Sequence, residues 1–180
     1  MGEQARQSEI LIVDDDPTAV LILRRALAEY PRVRFAASGA EALQSVAERS
    51  PDLILLDSNM PPPNGFEVCE LLKRDERFRD IPIIFVTTDG DIDAETRAMQ
   101  AGASDFLSKP ISPARVVLRA RLHLQLKAQL DALKELSLTD PLTGLANRRA
   151  LDQRLEVEWR RATRKRESLA LLLVDVDHLK

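Results

Sequence analysis

An α/β fold built on a buried parallel sheet is predicted for most of this 180-residue chain, on three observations. Short apolar runs alternate with helical patterns from Ile10 to about Lys109, the βα alternation of a parallel sheet. The runs Ile10–Val13, Leu53–Leu56 and Ile83–Val86 are continuously apolar, as in strands covered on both faces. Chemically capable residues follow these runs: Asp14, Asp15 and Asp16 after the first, Asp57 after the second, Thr87 after the third, and Lys109 after a weaker run, Asp105–Leu107.

The elements can be read in order. The first strand, Ile10–Val13, is followed by a helix opened by Pro17, a residue suited to the first helical turn. After a second strand at Val33–Ala36, Ser38 opens the next helix, with Glu41 placed to reach back in a Ser-x-x-Glu box. The third strand, Leu53–Leu56, leads through Pro61-Pro62-Pro63-Asn64-Gly65 into a helix near Phe66–Arg74. A fourth strand, Ile83–Val86, precedes a helix near Asp91–Ala101 closed by Gly102, and the fifth strand follows. Ser112-Pro113 then starts a helix that meets no breaker until Pro141. Along it Leu118, Leu122, Leu126 and Leu130 recur every four residues, then Leu133 and Leu136 every three. Such a stripe drifts round the helix, so its early part is expected on the sheet and its later part on a partner helix. A single amphipathic linker and a two-stranded coiled coil both satisfy it.

Charge divides the chain. Residues 1–111 carry 12 basic and 20 acidic side chains, against 14 and 9 in the remainder. An acidic front half argues against a nucleic-acid surface there, and the basic tail suits polyphosphate, nucleic acid or plain solvation. The lone Cys69 shares a helical face with Phe66 and Leu72 and reads as a small core residue in a reducing compartment. No apolar run reaches bilayer length and Met1–Glu9 is polar, so a cytoplasmic protein is expected.

In an open parallel sheet every strand delivers its carboxyl end to one edge, so the polar residues after the runs converge in one crevice. Phosphoryl transfer to a carboxylate needs an in-line oxygen and neutralisation of the equatorial oxygens. Asp57 is the candidate nucleophile. Asp14 and Asp15 are candidate ligands, with Asp57, for magnesium, a hard ion held by a few carboxylates and otherwise by water and phosphate. Lys109 would pair with one phosphoryl oxygen and Thr87 would donate its hydroxyl to another. Taken singly, Asp16 caps a helix, Thr87 favours a strand end and Lys109 suits a solvated turn. Their joint placement after the runs, in this order, is what singles out the phosphorylation reading.

On these residues the stretch from Ile10 to about Leu122 resembles a response-regulator receiver domain, the phosphoacceptor of two-component signalling. The resemblance implies a flavodoxin-like, doubly wound five-stranded sheet of order 2-1-3-4-5, with phosphorylation of Asp57 by a sensor histidine kinase. It implies magnesium at Asp14, Asp15, Asp57 and the carbonyl of Asn59, and a cis bond before Pro110. It further implies a switch that couples Thr87 to an aromatic ring on the fifth strand, here Phe106, which stands where tyrosine is frequent and has no phenolic hydroxyl. Asn59 and Asp89, two residues past Asp57 and Thr87, are the positions that influence dephosphorylation in such domains. Asn64 stands where an acid commonly precedes the glycine.

The tail carries Asp140-Pro-Leu-Thr-Gly-Leu145 and Asn147-Arg-Arg149, then a helix with Leu151, Leu155, Trp159 and Ala162 on one side. An apolar strand is expected at Leu169–Val174, followed by Asp175-Val-Asp-His-Leu-Lys180. These motifs resemble the opening of a GGDEF domain, the catalytic unit of diguanylate cyclases. The resemblance implies metal at Asp175 and the carbonyl of Val176, and GTP phosphates near Lys180. The domains expected are a receiver at 1–122, a final receiver helix extending as a linker at 112–137, and an incomplete α/β domain at 138–180. The Gly-Gly-Asp/Glu-Glu-Phe loop does not occur in the 180 residues, so the chain as it stands is not expected to make cyclic di-GMP. The expected protein is a homodimer through the output face and linker helix, with GTP a ligand of an intact parent alone. A DNA-binding output and a stand-alone interaction module are the rival classes, and the apolar terminal run counts against the first.

Overall fold

The computed structural model describes residues 8–88, 92–136, 138–140, 142–172 and 174. They fall into two units, Met1–Leu130 and Asp131–Lys180. In the first, β1 (Glu9–Val13), β2 (Arg32–Ala36), β3 (Leu53–Asp57), β4 (Ile83–Thr88) and β5 (Asp105–Lys109) form one parallel sheet of order β2-β1-β3-β4-β5. The helices α1 (Pro17–Ala26), α2 (Gly39–Glu48), α3 (Gly65–Arg74) and α4 (Ile92–Gln100) connect the strands, and α5 (Pro113–Leu136) follows β5. This is the doubly wound five-stranded class predicted from the sequence.

Side-chain alternation divides the core between the two faces of the sheet. Leu11, Val13, Ile54, Leu56, Ile83 and Phe85 pack with Ala42 and Val46 of α2, Val68, Cys69 and Leu72 of α3, and Ala98 of α4. Ile10, Ile12, Leu53, Leu55, Ile84 and Val86 pack with Leu23 of α1 and Val116, Ala120 and Leu124 of α5. Cys69 is a core residue as expected, and burial pushes its thiol up to about 11. At the amino edge of the sheet the buried Glu9 receives two arginines, with Arg34 Nε at 2.5 Å and Arg49 Nε at 2.7 Å. The Arg34 Nε contact is close but out of line for a hydrogen bond, so charge attraction holds it. Arg34 also donates through Nη1 to the Ser45 hydroxyl (2.6 Å) and carbonyl (3.1 Å), tying β2 to α2.

Local signals act largely as read. Asp16 caps α1 by accepting from the Thr18 N–H, and Ser38 caps α2 by accepting from Glu41 N. Glu41 differs from expectation: its carboxylate accepts from Ala37 N at 2.7 Å, one residue before the cap. A full capping box forms instead at α3, where Asn64 and Glu67 exchange hydrogen bonds. The larger correction concerns α5. Val116, Ala120 and Leu124 face the sheet, whereas Leu118, Leu122, Leu126, Leu130 and Leu133 are all exposed. The two sets are offset by two residues, about 200° round the helix, so the leucines from Leu118 to Leu130 lie on the side of α5 away from the sheet.

In the second unit, α6 (Arg148–Lys165) begins at Asn147, whose side chain accepts from Ala150 N (3.0 Å). Trp159, on the apolar side of that helix, is 64% exposed. The predicted strand Leu169–Val174 is not formed by its described residues, 169–172 and 174. A strand needs a neighbouring edge for its N–H and C=O groups. Among the described residues of this unit the sole β pairing is the isolated bridge Thr139–Ala146.

Gly65 gives this architecture a sharp test. A Cβ there would lie 2.1 Å from the Asp57 carbonyl oxygen and 3.1 Å from the Phe85 ring. Gly65→Ala is expected to destabilise the fold by about 2–4 kcal/mol, read as a lower urea midpoint at unchanged m-value.

Candidate functional site

The site lies at the carboxyl edge of the sheet, where β1, β3, β4 and β5 end beside one another. Asp14 follows β1, Asp57 ends β3, Thr87 lies near the end of β4 and Lys109 ends β5. Asp14, Asp57 and Thr87 are buried, at 2%, 3% and 2% exposure, whereas Asp15 is exposed. One carboxylate oxygen from each of Asp14, Asp15 and Asp57 lies within 4.8 Å of the others. Lys109 crosses to these acids, its Nζ 2.7 Å from Asp57 Oδ1 and 3.4 Å from Asp14 Oδ2. Asn59 N donates to Asp57 Oδ2 (2.8 Å), and Asp16 N donates to Asp14 Oδ1 (2.9 Å). These backbone bonds fix both carboxylates without consuming all their lone pairs.

Electrostatics follow from that packing. Burial raises the Asp14 carboxyl above its ordinary range and the nearby charge of Asp57 adds to this, while the Asp16 amide and Lys109 act in the opposite sense. Burial alone would depress Lys109, but its hydrogen bond to Asp57 and the charges of Asp57 and Asp14 outweigh it, and its ammonium is held above the usual value. The Thr87 hydroxyl is buried and has no hydrogen-bond partner. It is thus a donor ready for an acceptor in the crevice. The neighbouring Ser58 hydroxyl is also buried without a partner, a feature no sequence signal pointed to.

The donor set fits a small hard cation, since three carboxylates converge and one positive charge on Lys109 does not neutralise them. Phe106 is half-buried on β5, paired in register with Phe85, and packs against the cluster that contains Leu56 and Val68. The Lys109–Pro110 bond is cis. Asp89, Asp175, Val176 and Lys180 lie outside the described residues.

The second unit presents a different polar structure. Asp140 Oδ1 accepts from Leu142 N (3.1 Å), Thr143 N (2.8 Å) and Thr143 Oγ1 (2.8 Å), while Gly144, at φ 70, returns its N–H to the Asp140 carbonyl. The Thr143 backbone bond leads in holding the Asp140 carboxyl below its ordinary range. Asp140 therefore organises a turn rather than capping a helix.

A sequence model described as a response regulator receiver domain matches residues 10–121, and one described as a diguanylate cyclase GGDEF domain matches residues 137–180. The chain is 41% identical over 130 residues to the response regulator PleD of Caulobacter vibrioides (strain NA1000 / CB15N), covering 71% of this chain and 28% of that protein. It is 35% identical over 148 residues to the cyclic di-GMP phosphodiesterase response regulator RpfG of Xanthomonas campestris pv. campestris (strain 8004), covering 81% and 39%. Among solved structures, the signal receiver domain of a signal transduction histidine kinase from Syntrophus aciditrophicus superposes with a TM-score of 0.61 at 33% identity, covering 66% of this chain and 90% of that one. The chain spans less than a third of the length of several curated relatives, PleD among them.

Asp14→Asn tests the electrostatics directly. Because burial raises the Asp14 pKa in the folded state, its stability contribution is full below the unfolded value and is lost as pH rises through the folded one. Asp14→Asn is accordingly expected to raise the melting temperature by a few degrees at neutral pH in metal-free buffer, with the gap closing towards about pH 4.

Proposed function

Because the chain belongs to the response regulator receiver family, we propose that it is the phosphorylation-controlled part of a two-component regulator in which Asp57 takes a phosphoryl group from the phosphohistidine of a sensor histidine kinase. The observation that carries this reading is the convergence of Asp57, Asp14, Asp15 and Lys109 beside the unpartnered, buried Thr87 hydroxyl. An Asp57 oxygen attacks phosphorus in line with the leaving imidazole nitrogen. The O–P bond forms as the N–P bond breaks, and the imidazole departs neutral after taking a proton. Asp14, Asp15, Asp57 and the Asn59 carbonyl would hold magnesium, which when bound would neutralise charge on the phosphoryl oxygens. Lys109 moves its ammonium from the free carboxylate to a phosphoryl oxygen, and Thr87 donates its hydroxyl to another. Phe106 follows Thr87 inward and the surface of α4, β5 and α5 changes.

The proposed boundaries are a receiver at 1–122, its final helix extending as a linker through 112–137, and the opening of a GGDEF domain at 138–180. The proposed output of the longer protein is a diguanylate cyclase, whose metal and GTP contacts would include Asp175, the Val176 carbonyl and Lys180. The GGDEF match at 137–180 supports that output over a DNA-binding one. RpfG carries a different named activity behind a similar receiver, so the receiver alone does not define the output. Pairing of two copies through the output face and the exposed leucines of α5 would bring two GTP sites together, as a product built from two GTP requires. No helix among the described residues is long and apolar enough to cross a membrane, in keeping with the proposed cytoplasmic location.

Incubation with acetyl phosphate and magnesium, followed by intact-mass analysis, tests the phosphoacceptor. Wild type is expected to gain one phosphoryl group and Asp57→Asn none; an adduct of equal yield on Asp57→Asn would place the acceptor elsewhere. For the dimer, Leu126→Glu with Leu130→Glu is expected to weaken self-association at least about tenfold in sedimentation equilibrium, since each substitution sets a charge in an apolar seam.

A further inference from the structure

The contact between α3 and α4 lies outside the crevice, yet it is built onto the strand that carries Thr87. Phe85, fully buried on β4, stacks with Phe66 at the start of α3, with ring centroids 5.0 Å apart and planes at 25°. Phe85 and Thr87 project to the same face of β4, because strand side chains alternate. The guanidinium of Arg97, on α4, lies 4.2 Å from the Phe66 ring centroid. Two more contacts complete the seam. Cys69 Sγ donates to the Ala101 carbonyl (3.3 Å), and the Lys73 stem lies under Gly102, which leaves α4 at φ 91. Phe66, Cys69 and Lys73 recur at spacings of three and four, on one face of α3.

Beside this seam, α4 packs on the sheet-facing core through Ala98. Among its described side chains only Ala98 is buried, and Met99 is 43% exposed. The cation over the Phe66 ring and the ring over Phe85 join α4 through α3 to β4 and so help set the position of α4 relative to β4.

We propose that Arg97 and Phe66 are positioning residues for phosphoryl transfer at Asp57: the Arg97–Phe66–Phe85 stack holds α4 and the end of β4 in the arrangement of the unmodified receiver, and inward movement of Thr87 works against it. The proposal rests on the phosphoacceptor reading of Asp57. The stack is formed while Lys109 holds the free Asp57 carboxylate, and it favours that form because inward movement of Thr87 loosens it in the other. By reciprocity, what the stack adds to the unmodified arrangement it withholds from the modified one. Its removal raises the fraction of molecules poised for modification.

The test is a time course of phosphorylation of the 180-residue chain by acetyl phosphate with magnesium, read by intact mass, for wild type, Arg97→Ala, Phe66→Leu, the double variant and Arg97→Lys. Arg97→Ala and Phe66→Leu are expected to react about three- to tenfold faster, with no further gain in the double variant. Arg97→Lys, which keeps a cation over the ring, is expected to return to the wild-type rate. Amide exchange at Ala101 and Ala103, whose N–H groups close α4 on the carbonyls of Arg97 and Ala98, should quicken in the same two variants while β1 and β3 stay protected. Unchanged or slower phosphorylation, gains that multiply in the double variant, or unaltered exchange at the end of α4 would each overturn the proposal. A folded wild-type chain that takes up no phosphoryl group would instead sink the phosphoacceptor reading and the positioning role with it, so the two failures are distinguishable.

Discussion

One ammonium group between two buried carboxylates governs the carboxyl edge of this sheet. Asp14 and Asp57 sit in a place that water would ordinarily share, and Lys109 reaches them from β5, four residues beyond the start of that strand. The pairing offsets part of their repulsion and leaves the group with a net negative charge, a setting that suits a further cation. It also links β1, β3 and β5 across the sheet with no backbone ladder between the first and last of them. Chemistry that replaces the lysine's carboxylate partner with a phosphoryl oxygen must alter the relation among those strands.

The remainder of the first unit divides into parts that cannot follow such a change and parts that can. β1 and β3 are buried along their whole length, between α1 and α5 on one face and α2 and α3 on the other. Close packing there transmits displacement and does not absorb it. Toward β5 the packing is lighter. β5 has a single fully buried side chain, Leu107, and Phe106 lies half-buried beside it. The arrangement places a stiff centre next to a compliant flank, and the reactive crevice lies across their border.

Much of this was legible from the chain. Strands announced themselves because a parallel sheet covered on both sides demands unbroken apolar runs, and their polar followers marked one edge. The caps at Asp16 and Ser38 were readable because a short side-chain oxygen before a helix has one obvious use. What escaped depended on choices that spacing leaves open. Periodicity shows that Leu118, Leu122 and Leu126 share a face of α5, but says nothing of whether that face or the one bearing Val116, Ala120 and Leu124 meets the sheet; Val116 and Ala120, smaller than leucine, allow the closer approach, and they lie inward with Leu124. Trp159 and Leu169–Val174 look like core because they are apolar, yet burial also requires a surface to be buried against. The orphan hydroxyl of Thr87 belongs to three-dimensional packing, and composition carries no trace of it.

The two ends of β1 have a consequence for alignment. Glu9 is gripped by Arg34 and Arg49 at one end, and Asp14 by Lys109 and the Asp16 amide at the other, with four apolar residues between. The smallest slip that keeps Leu11 and Val13 on their proper face is two residues. In one direction that slip would draw Glu9 into the space of Leu11, and in the other it would draw Asp14 into the space of Ile12, stranding a charge in the apolar interior either way. The strand is therefore bolted at both ends by ions, and a fold whose chemistry depends on bringing three separate strand ends together to within a few ångströms has its central ruler fixed against sliding.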